Sequence, residues 1–398
     1  MARQIASGDG CPQMGWGGAQ RLVPVLLCAA MATACAEGTG PMPAGPATVA
    51  AGYYHTCGLT SGGVAYCWGY NYYGELGDGS RDSAALYVRA APVSVAGALR
   101  FAGLTTGANH TCGLTGAGAA YCWGNNFYGQ LGDGSTTNGL APVPAAGGPP
   151  FASLTAGGNH TCALASGGAA YCWGYNLGGD LGDSSIVQRL TPVAVAGGLT
   201  FTSLVAGYYH TCGLTSGGAA YCWGYNPYGA LGDGSTANGL TPVAVVAGPP
   251  FASLTAGYYH TCGLTRSGAA YCWGSNFYGE LGDGSTTGRL TPVAVAGGLR
   301  FASLTAGYFH TCGVTGGGAP YCWGFNDYGD LGDGSTQQRL APVAVAGGLT
   351  FASLTAGRYH TCGLTRGGAA YCWGYNHYGE LGDSTTTDRL SPVRVLGF

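Results

Sequence analysis

Lysine is absent from the 398 residues, so all 14 basic side chains are arginines, set against 17 acids. Charged residues make up only 8% of the chain and the net charge is −3. Such sparse charge excludes a disordered acidic or basic tail, which stays solvated through net charge. It also leaves no basic surplus for a nucleic-acid binder. Long helical and coiled-coil proteins are rich in Glu, Lys and Leu and poor in Gly, and are excluded as well. The apolar run from Leu22 to Ala34 is thirteen residues long, short of the roughly 18–20 that a spanning helix needs, and no later stretch could cross a membrane. What remains is glycine (78 residues), 12% aromatics with 27 Tyr and 8 Trp, and abundant Val and Thr. Glycine does not recur every third residue, which excludes collagen. The mixture fits an all-β protein of short strands and tight turns with enough aromatic surface for a large core.

Seventeen cysteines fall into two groups. Cys11, Cys28 and Cys35 are N-terminal; the other fourteen form seven pairs, each with nine intervening residues. The pairs are Cys57 with Cys67, Cys112 with Cys122, Cys162 with Cys172, Cys212 with Cys222, Cys262 with Cys272, Cys312 with Cys322, and Cys362 with Cys372. A periodic, even set points to disulfides and an oxidising compartment. An export signal is expected, and Leu22 to Ala34 after Arg21 suits its apolar core. Ala32, Thr33 and Ala34 before Cys35 are similar to a bacterial lipoprotein box, although Ala32 stands where Leu is usual. Residues 1–35 are therefore read as a signal peptide cleaved before Cys35, whose thiol takes the lipid, with ordinary secretion as the alternative. Either Met1 or Met14 starts the chain, and residues 36–46 form a flexible linker. The location expected is a bacterial cell envelope, by lipid anchor, or the medium.

From residue 47 to 398 the pairs repeat every 50 residues, after a first interval of 55. A period of this size means a repeat architecture. Each unit holds four strand candidates: F-A-S-L-T-A, H-T-C-G-L-T, A-A-Y-C-W-G and P-V-A-V. The stretch after C-W-G is long, so it is expected to cross between sheets, placing P-V-A-V with the three strands that follow it. Seven four-stranded blades then make a seven-bladed β-propeller. The C-terminal Ser391–Val395 strand is expected to join the first blade and close the ring.

G-Y-Y-H-T-C-G-L-T, A-Y-C-W-G-Y-N and Y-G-E-L-G-D-G at this spacing resemble the repeat of the regulator of chromosome condensation family. That resemblance covers residues 47–398 and implies a seven-bladed propeller. The paired cysteines depart from the best-known eukaryotic members and suggest an exported branch.

Centring the first hairpin on Gly62 sets Cys57 opposite Cys67, His55 opposite Gly69 and Trp68 opposite Thr56. Facing cysteines in an antiparallel pair are within bridging range. Tyr66 falls opposite Gly58 and is expected to cover it. Metal binding by His-x-Cys with the second Cys is the alternative, but seven identical sites would be unusual, and no metal or cofactor is expected. The seven-fold His (55, 110, 160, 210, 260, 310, 360) reads as a hydrogen-bonding core residue, because catalysis needs unlike groups converging on one point. The Asp of L-G-D reads as a turn residue.

Strand direction puts the G-Y-Y turns and the long loops on one face, and only S-G-G and A-G-G-L segments on the other. Variation concentrates on the first face. The candidate binding residues there are Tyr53, Tyr54, Tyr72, Phe127, Tyr208, Tyr209, Tyr258, Tyr259, Phe277, Glu280, Asp327, Asp330, Tyr359 and His377. Tyrosines and carboxylates on loops held by a rigid scaffold suit recognition. The expected function is a monomeric, non-enzymatic binding scaffold for a protein partner, or a glycan, touching the membrane only through its lipid. Nucleotide exchange, implied by the family's namesake, and a carbohydrate-active propeller using Glu280 and Asp330 are the alternatives.

Overall fold

A computed structural model of the chain describes residues 46–81 and 88–398. The signal peptide, Cys35 and the linker up to residue 45 lie outside the described residues. Among those described, 28 strands form seven four-stranded antiparallel sheets. In the first repeat these are β1 (Pro46–Ala51), β2 (His55–Thr60), β3 (Ala65–Tyr70) and β4 (Val88–Ser94), hydrogen-bonded in that order. β2 is buried along its whole length, so it reads as a near-continuous small and apolar strand without alternation.

The hairpin register is the one expected: His55 faces Gly69, Thr56 faces Trp68, Cys57 faces Cys67 and Gly58 faces Tyr66. All seven expected cysteine pairs are disulfides, each closing ten residues of chain with Cα atoms 4.0–4.1 Å apart. Cys57 is bonded to Cys67, Cys112 to Cys122, Cys162 to Cys172 and Cys212 to Cys222. Cys262 is bonded to Cys272, Cys312 to Cys322 and Cys362 to Cys372. Every one of these cysteines is fully buried, so the bridges lie inside the blades and the thiols are not free to take a metal.

Two expectations are corrected. The fourth strand belongs to the repeat that precedes it, not to the one that follows: β4 pairs with β3, Tyr66 opposite Ser94 and Gly69 opposite Arg89. The long loop therefore returns to its own sheet, and the short A-G-G-L link crosses to the next. Loop length misled because the long segment is filled by its own bonds. In the second repeat, for example, Asn126 Nδ2 donates to Asp133 Oδ1 and the Ser135 carbonyl, while the Leu131 amide donates to Asn126 Oδ1. It follows that Arg389–Arg394 completes the seventh sheet and is not exchanged into the first.

The ring closes by blade contacts. His55 Nε2 lies 2.9 Å from Thr111 Oγ1 of the next blade, and the same bond recurs around the circle until His360 meets Thr56 at 2.9 Å. Trp68 Nε1 donates to the Glu380 carbonyl, 2.8 Å away, so the first and seventh blades share the bond that every repeat tryptophan except Trp223 makes to the preceding blade. The cores lie between blades. Cys57, Cys67, Leu59 and Leu76 of one pack on Phe101 and Trp123 of the next. The seven repeat tryptophans are fully buried, each covering about 200 Å², or roughly 5 kcal/mol of gross hydrophobic driving force apiece.

The aromatic that covers the strand glycine is also not the one expected. A Cβ on Gly113, Gly213, Gly263 or Gly363 would collide with Phe101, Phe201, Phe251 or Phe351, not with the facing tyrosine. The first repeat has Pro46 where the others have that Phe. Its Gly58 is covered instead by Phe398, whose ring lies 5.4 Å from that of Tyr66 and 5.6 Å from that of Trp68. The C-terminal residue, not the C-terminal strand, supplies the missing part of the first blade.

Candidate functional site

The G-Y-Y turns and long loops share one face, because β1 and β3 run in the same direction. Around the ring axis Tyr53, Tyr208, Tyr258 and Tyr308 gather over a cavity of about 120 Å³ floored by the glycines that follow each first strand. Tyr258 and Tyr308 have ring centroids 3.7 Å apart, and Tyr53 sits edge-on to Tyr308 at 5.3 Å. The second and third repeats contribute only Ala108 and Gly158 at this position, and the Tyr208 ring leans over Gly158. The seventh contributes Arg358, whose guanidinium lies 4.1 Å from the Tyr53 ring and 4.6 Å from that of Tyr359 and donates to the Tyr54 hydroxyl. Arg358 and Tyr308 vary on this face but are not among the candidate binding residues read from the sequence. The signal available was a lone cation in a slot otherwise aromatic or small, where cation–π packing is the natural outcome.

A second ring of Tyr54, Tyr209, Tyr259 and Tyr359 packs outward. Tyr209 stacks on Tyr259 at 5.9 Å, and Tyr359 meets Tyr328 at 5.2 Å. These rings hold one another as much as they face solvent. The exposed apolar side chains are farther out at the loop tips: Tyr72 (43% exposed), Phe127 (58%), Leu177 (65%) and Phe277 (63%). The same tip position carries the exposed Asp327 in the sixth blade and His377 in the seventh, 3.7 Å from Asp388. The face is thus apolar at its tips over the first, second, third and fifth blades and polar over the last two.

Glu280 and Asp330 do not belong to this surface. They are 1% and 0% exposed, as are Glu75, Asp180 and Glu380 in the same slot at 0%. The slot is used through its backbone. The Glu280 carbonyl accepts from Trp323 Nε1 and Thr311 Oγ1 of the next blade, both at 2.9 Å. Gln130 and Ala230 serve the same bonds in other blades, which is why the side chain varies. Glu280 Oε2 turns back to accept from the Tyr278 amide at 2.8 Å. Burial raises all five carboxyls: Glu75 to about 8, Asp180 to about 7, Glu280 upward, and Asp330 and Glu380 well above the ordinary range.

The seven-fold His is a core residue, as expected. Thr111 Oγ1 donates to the Glu75 carbonyl, so its oxygen is left to accept from His55 Nε2–H. That fixes one neutral tautomer, and burial lowers the imidazoles to about 3, or about 4 at His210. Among the described residues, no group of three or more His, Cys, Asp and Glu is arranged to hold a metal.

The sequence pattern of the RCC1-like domain matches residues 143–397, and patterns of the regulator of chromosome condensation (RCC1) repeat match residues 62–114, 117–164, 47–75 and 102–130. Probable E3 ubiquitin-protein ligase HERC4 of Mus musculus is 37% identical over 87 residues, 21% of this chain and 8% of that protein. The chain therefore spans under a tenth of the first curated relatives it matches. Among solved structures, yeast RCC1 (Prp20) bound to Kap60 superposes with a TM-score of 0.74 at 22% identity, over 83% of each chain. The ectodomain of the receptor kinase CR4 of Physcomitrella patens gives 0.53 at 29% identity, over 82% of this chain and 73% of that one.

Proposed function

The chain belongs to the RCC1-like domain family, and from that premise we propose that it is a non-enzymatic binding scaffold, working outside the cytoplasm, whose loop face holds a protein partner. The observation that carries this reading is the set of exposed tips Tyr72, Phe127, Leu177 and Phe277 on a frame stapled by seven disulfides. Large aromatics held rigid at low entropic cost are what protein interfaces use as anchors. The disulfides favour an oxidising compartment, as does likeness to a receptor ectodomain. The signal peptide and the lipidation of Cys35 complete this proposal. Yeast RCC1 was crystallised with a protein, Kap60, and docking of that general kind suits this face. Its 22% identity speaks for the fold alone, so nucleotide exchange draws no support from it. A glycan-cleaving role would need reachable carboxylates, and Glu280 and Asp330 are buried in the blade joints.

The test compares the wild-type chain with Phe127→Glu plus Phe277→Glu as bait in the envelope fraction of the host. Both residues are exposed, so the fold should survive. A protein retained by the wild type and lost from the variant is expected. An identical set on both baits, accelerated nucleotide release from a GTPase, or glycan cleavage would overturn the reading.

A further inference from the structure

The face opposite the loops carries the hairpin turns and the links between blades, which lie side by side: the Phe101 amide donates to the Gly63 carbonyl across them. None of these segments contains an Asp or Glu. They contain five arginines: Arg100 and Arg300 in links, Arg266 and Arg366 in hairpins, and Arg394 at the end of the last strand. All five are exposed, and among the described residues none forms an ion pair. The Arg366 guanidinium donates only to the Gly316 carbonyl, at 3.3 Å. Arg266 and Arg300 line one cleft of about 710 Å³ beside Pro250, Phe251 and Tyr271.

The acids among the described residues stand in the long loops, and most are spent there. Five are buried with raised pKa values. Asp183, Asp283, Asp333 and Asp383 each pair with an arginine at 2.7–2.8 Å. The overall charge of −3 therefore conceals a hairpin face of one sign. A second observation says what covers it. β1 starts there, since Pro46 pairs with Thr60 at the hairpin end of β2. The first strand of the propeller therefore begins on the arginine face. Ten residues separate Cys35 from Pro46, a reach of at most about 40 Å.

We propose that the hairpin face is a docking surface for an anionic lipid bilayer. The arginines are spread over the links and hairpins of the first, fifth and seventh blades, which suits a flat negative plane better than a compact ligand. Docked in this way, the ring presents its aromatic loops away from the membrane. The charge argument stands without the lipid on Cys35, and without the loop-face reading.

The test uses the chain with Cys35→Ser, which cannot be lipidated, and vesicles of phosphatidylcholine with or without phosphatidylglycerol at roughly 3:1. It compares this parent with a variant that adds Arg→Gln at positions 100, 266, 300, 366 and 394. Each arginine near such a surface is worth about fivefold in affinity, so the variant should lose more than about a hundredfold. Arg→Lys at the same five sites should retain most of the binding, and raising salt should abolish it as the Debye length falls below about 5 Å. Any leader left on the chain is common to every variant and cancels. Equal binding to both vesicle types, Gln variants that bind like the parent, or tighter capture at equal salt by duplex DNA or an acidic protein would overturn the proposal. Loop-face binding is not read in this assay, so the two proposals fail separately.

Discussion

Lowering the pH should unfold this ring through its histidines, by an amount that follows from the buried groups. Seven imidazoles sit near pKa 3–4 when folded and about 6.5 when unfolded. Because burial depresses them, the stability they contribute is present above pH 6.5 and is lost as pH falls toward 3. The buried carboxyls of Glu75, Asp180, Glu280, Asp330 and Glu380 act in the opposite direction. Being raised, they keep protons that the unfolded chain releases, so their contribution is present below about pH 4 and is lost as pH rises through 7 and 8. At pH 5 the unfolded chain carries about seven extra His protons, offset in part by the carboxyl protons that the folded chain keeps, so unfolding takes up protons and stability falls as the pH is lowered. Below pH 4 the carboxyls saturate in both states and the uptake rises to about five, or roughly 7 kcal/mol per unit. Maximum stability should fall between about pH 6 and 7, where the two sets balance. Urea unfolding with the disulfides intact, repeated from pH 3.5 to 9, measures the curve. His260→Gln, which keeps a donor for Thr311, should reduce the acid slope by about one proton at a cost of about 1–2 kcal/mol at pH 7. Stability that is flat or rising between pH 6 and pH 4 would refute the buried neutral ring.

Three further outcomes follow from the same geometry. Glu75→Gln, which copies Gln130 of the next blade, should shrink the loss of stability between pH 6 and 9 by about 2–3 kcal/mol in denaturant titrations, and no change would mean that Glu75 is ionised. Phe398→Ala uncovers Gly58 and part of the core around Trp68; it should cost about 2–3 kcal/mol in thermal unfolding, and an unchanged midpoint would detach the C-terminus from the closure. Replacing Cys312 and Cys322 together by Ser should cost about 2–3 kcal/mol by the loop-entropy account, leaving the other six bridges intact by peptide mapping under non-reducing conditions.

The period, the hairpin register and the disulfide pairing were legible because each is set by local spacing. Cys57 faces Cys67 for the reason that fixes any short antiparallel hairpin, and Cys122, Cys172, Cys222, Cys272 and Cys372 find their partners by the same ten-residue step. The outer strand was assigned to the wrong blade because connection length is a poor guide when the long segment carries its own hydrogen bonds, as Asn126 and Asp133 do. The Glu280 slot looked like surface because it varies among Glu, Gln, Asp and Ala. The bond to the next blade uses only its carbonyl, while in every blade but the fourth the side chain turns back to accept from the amide two residues earlier, a local role that Glu, Gln and Asp all fill. Phe398 escaped notice because its partner, Gly58, is 340 positions away in sequence and adjacent only once the ring is closed. The axial position of Arg358 was hidden for the same reason.

Closure of the ring, the seventh blade bonded to the first through His360–Thr56 and Trp68–Glu380, is tested most directly by small-angle X-ray scattering on residues 46–398. A closed disc of this length should give a radius of gyration of about 20 Å and a single-peaked distance distribution. A markedly larger radius with an extended tail, as an open arc of blades would give, would contradict it.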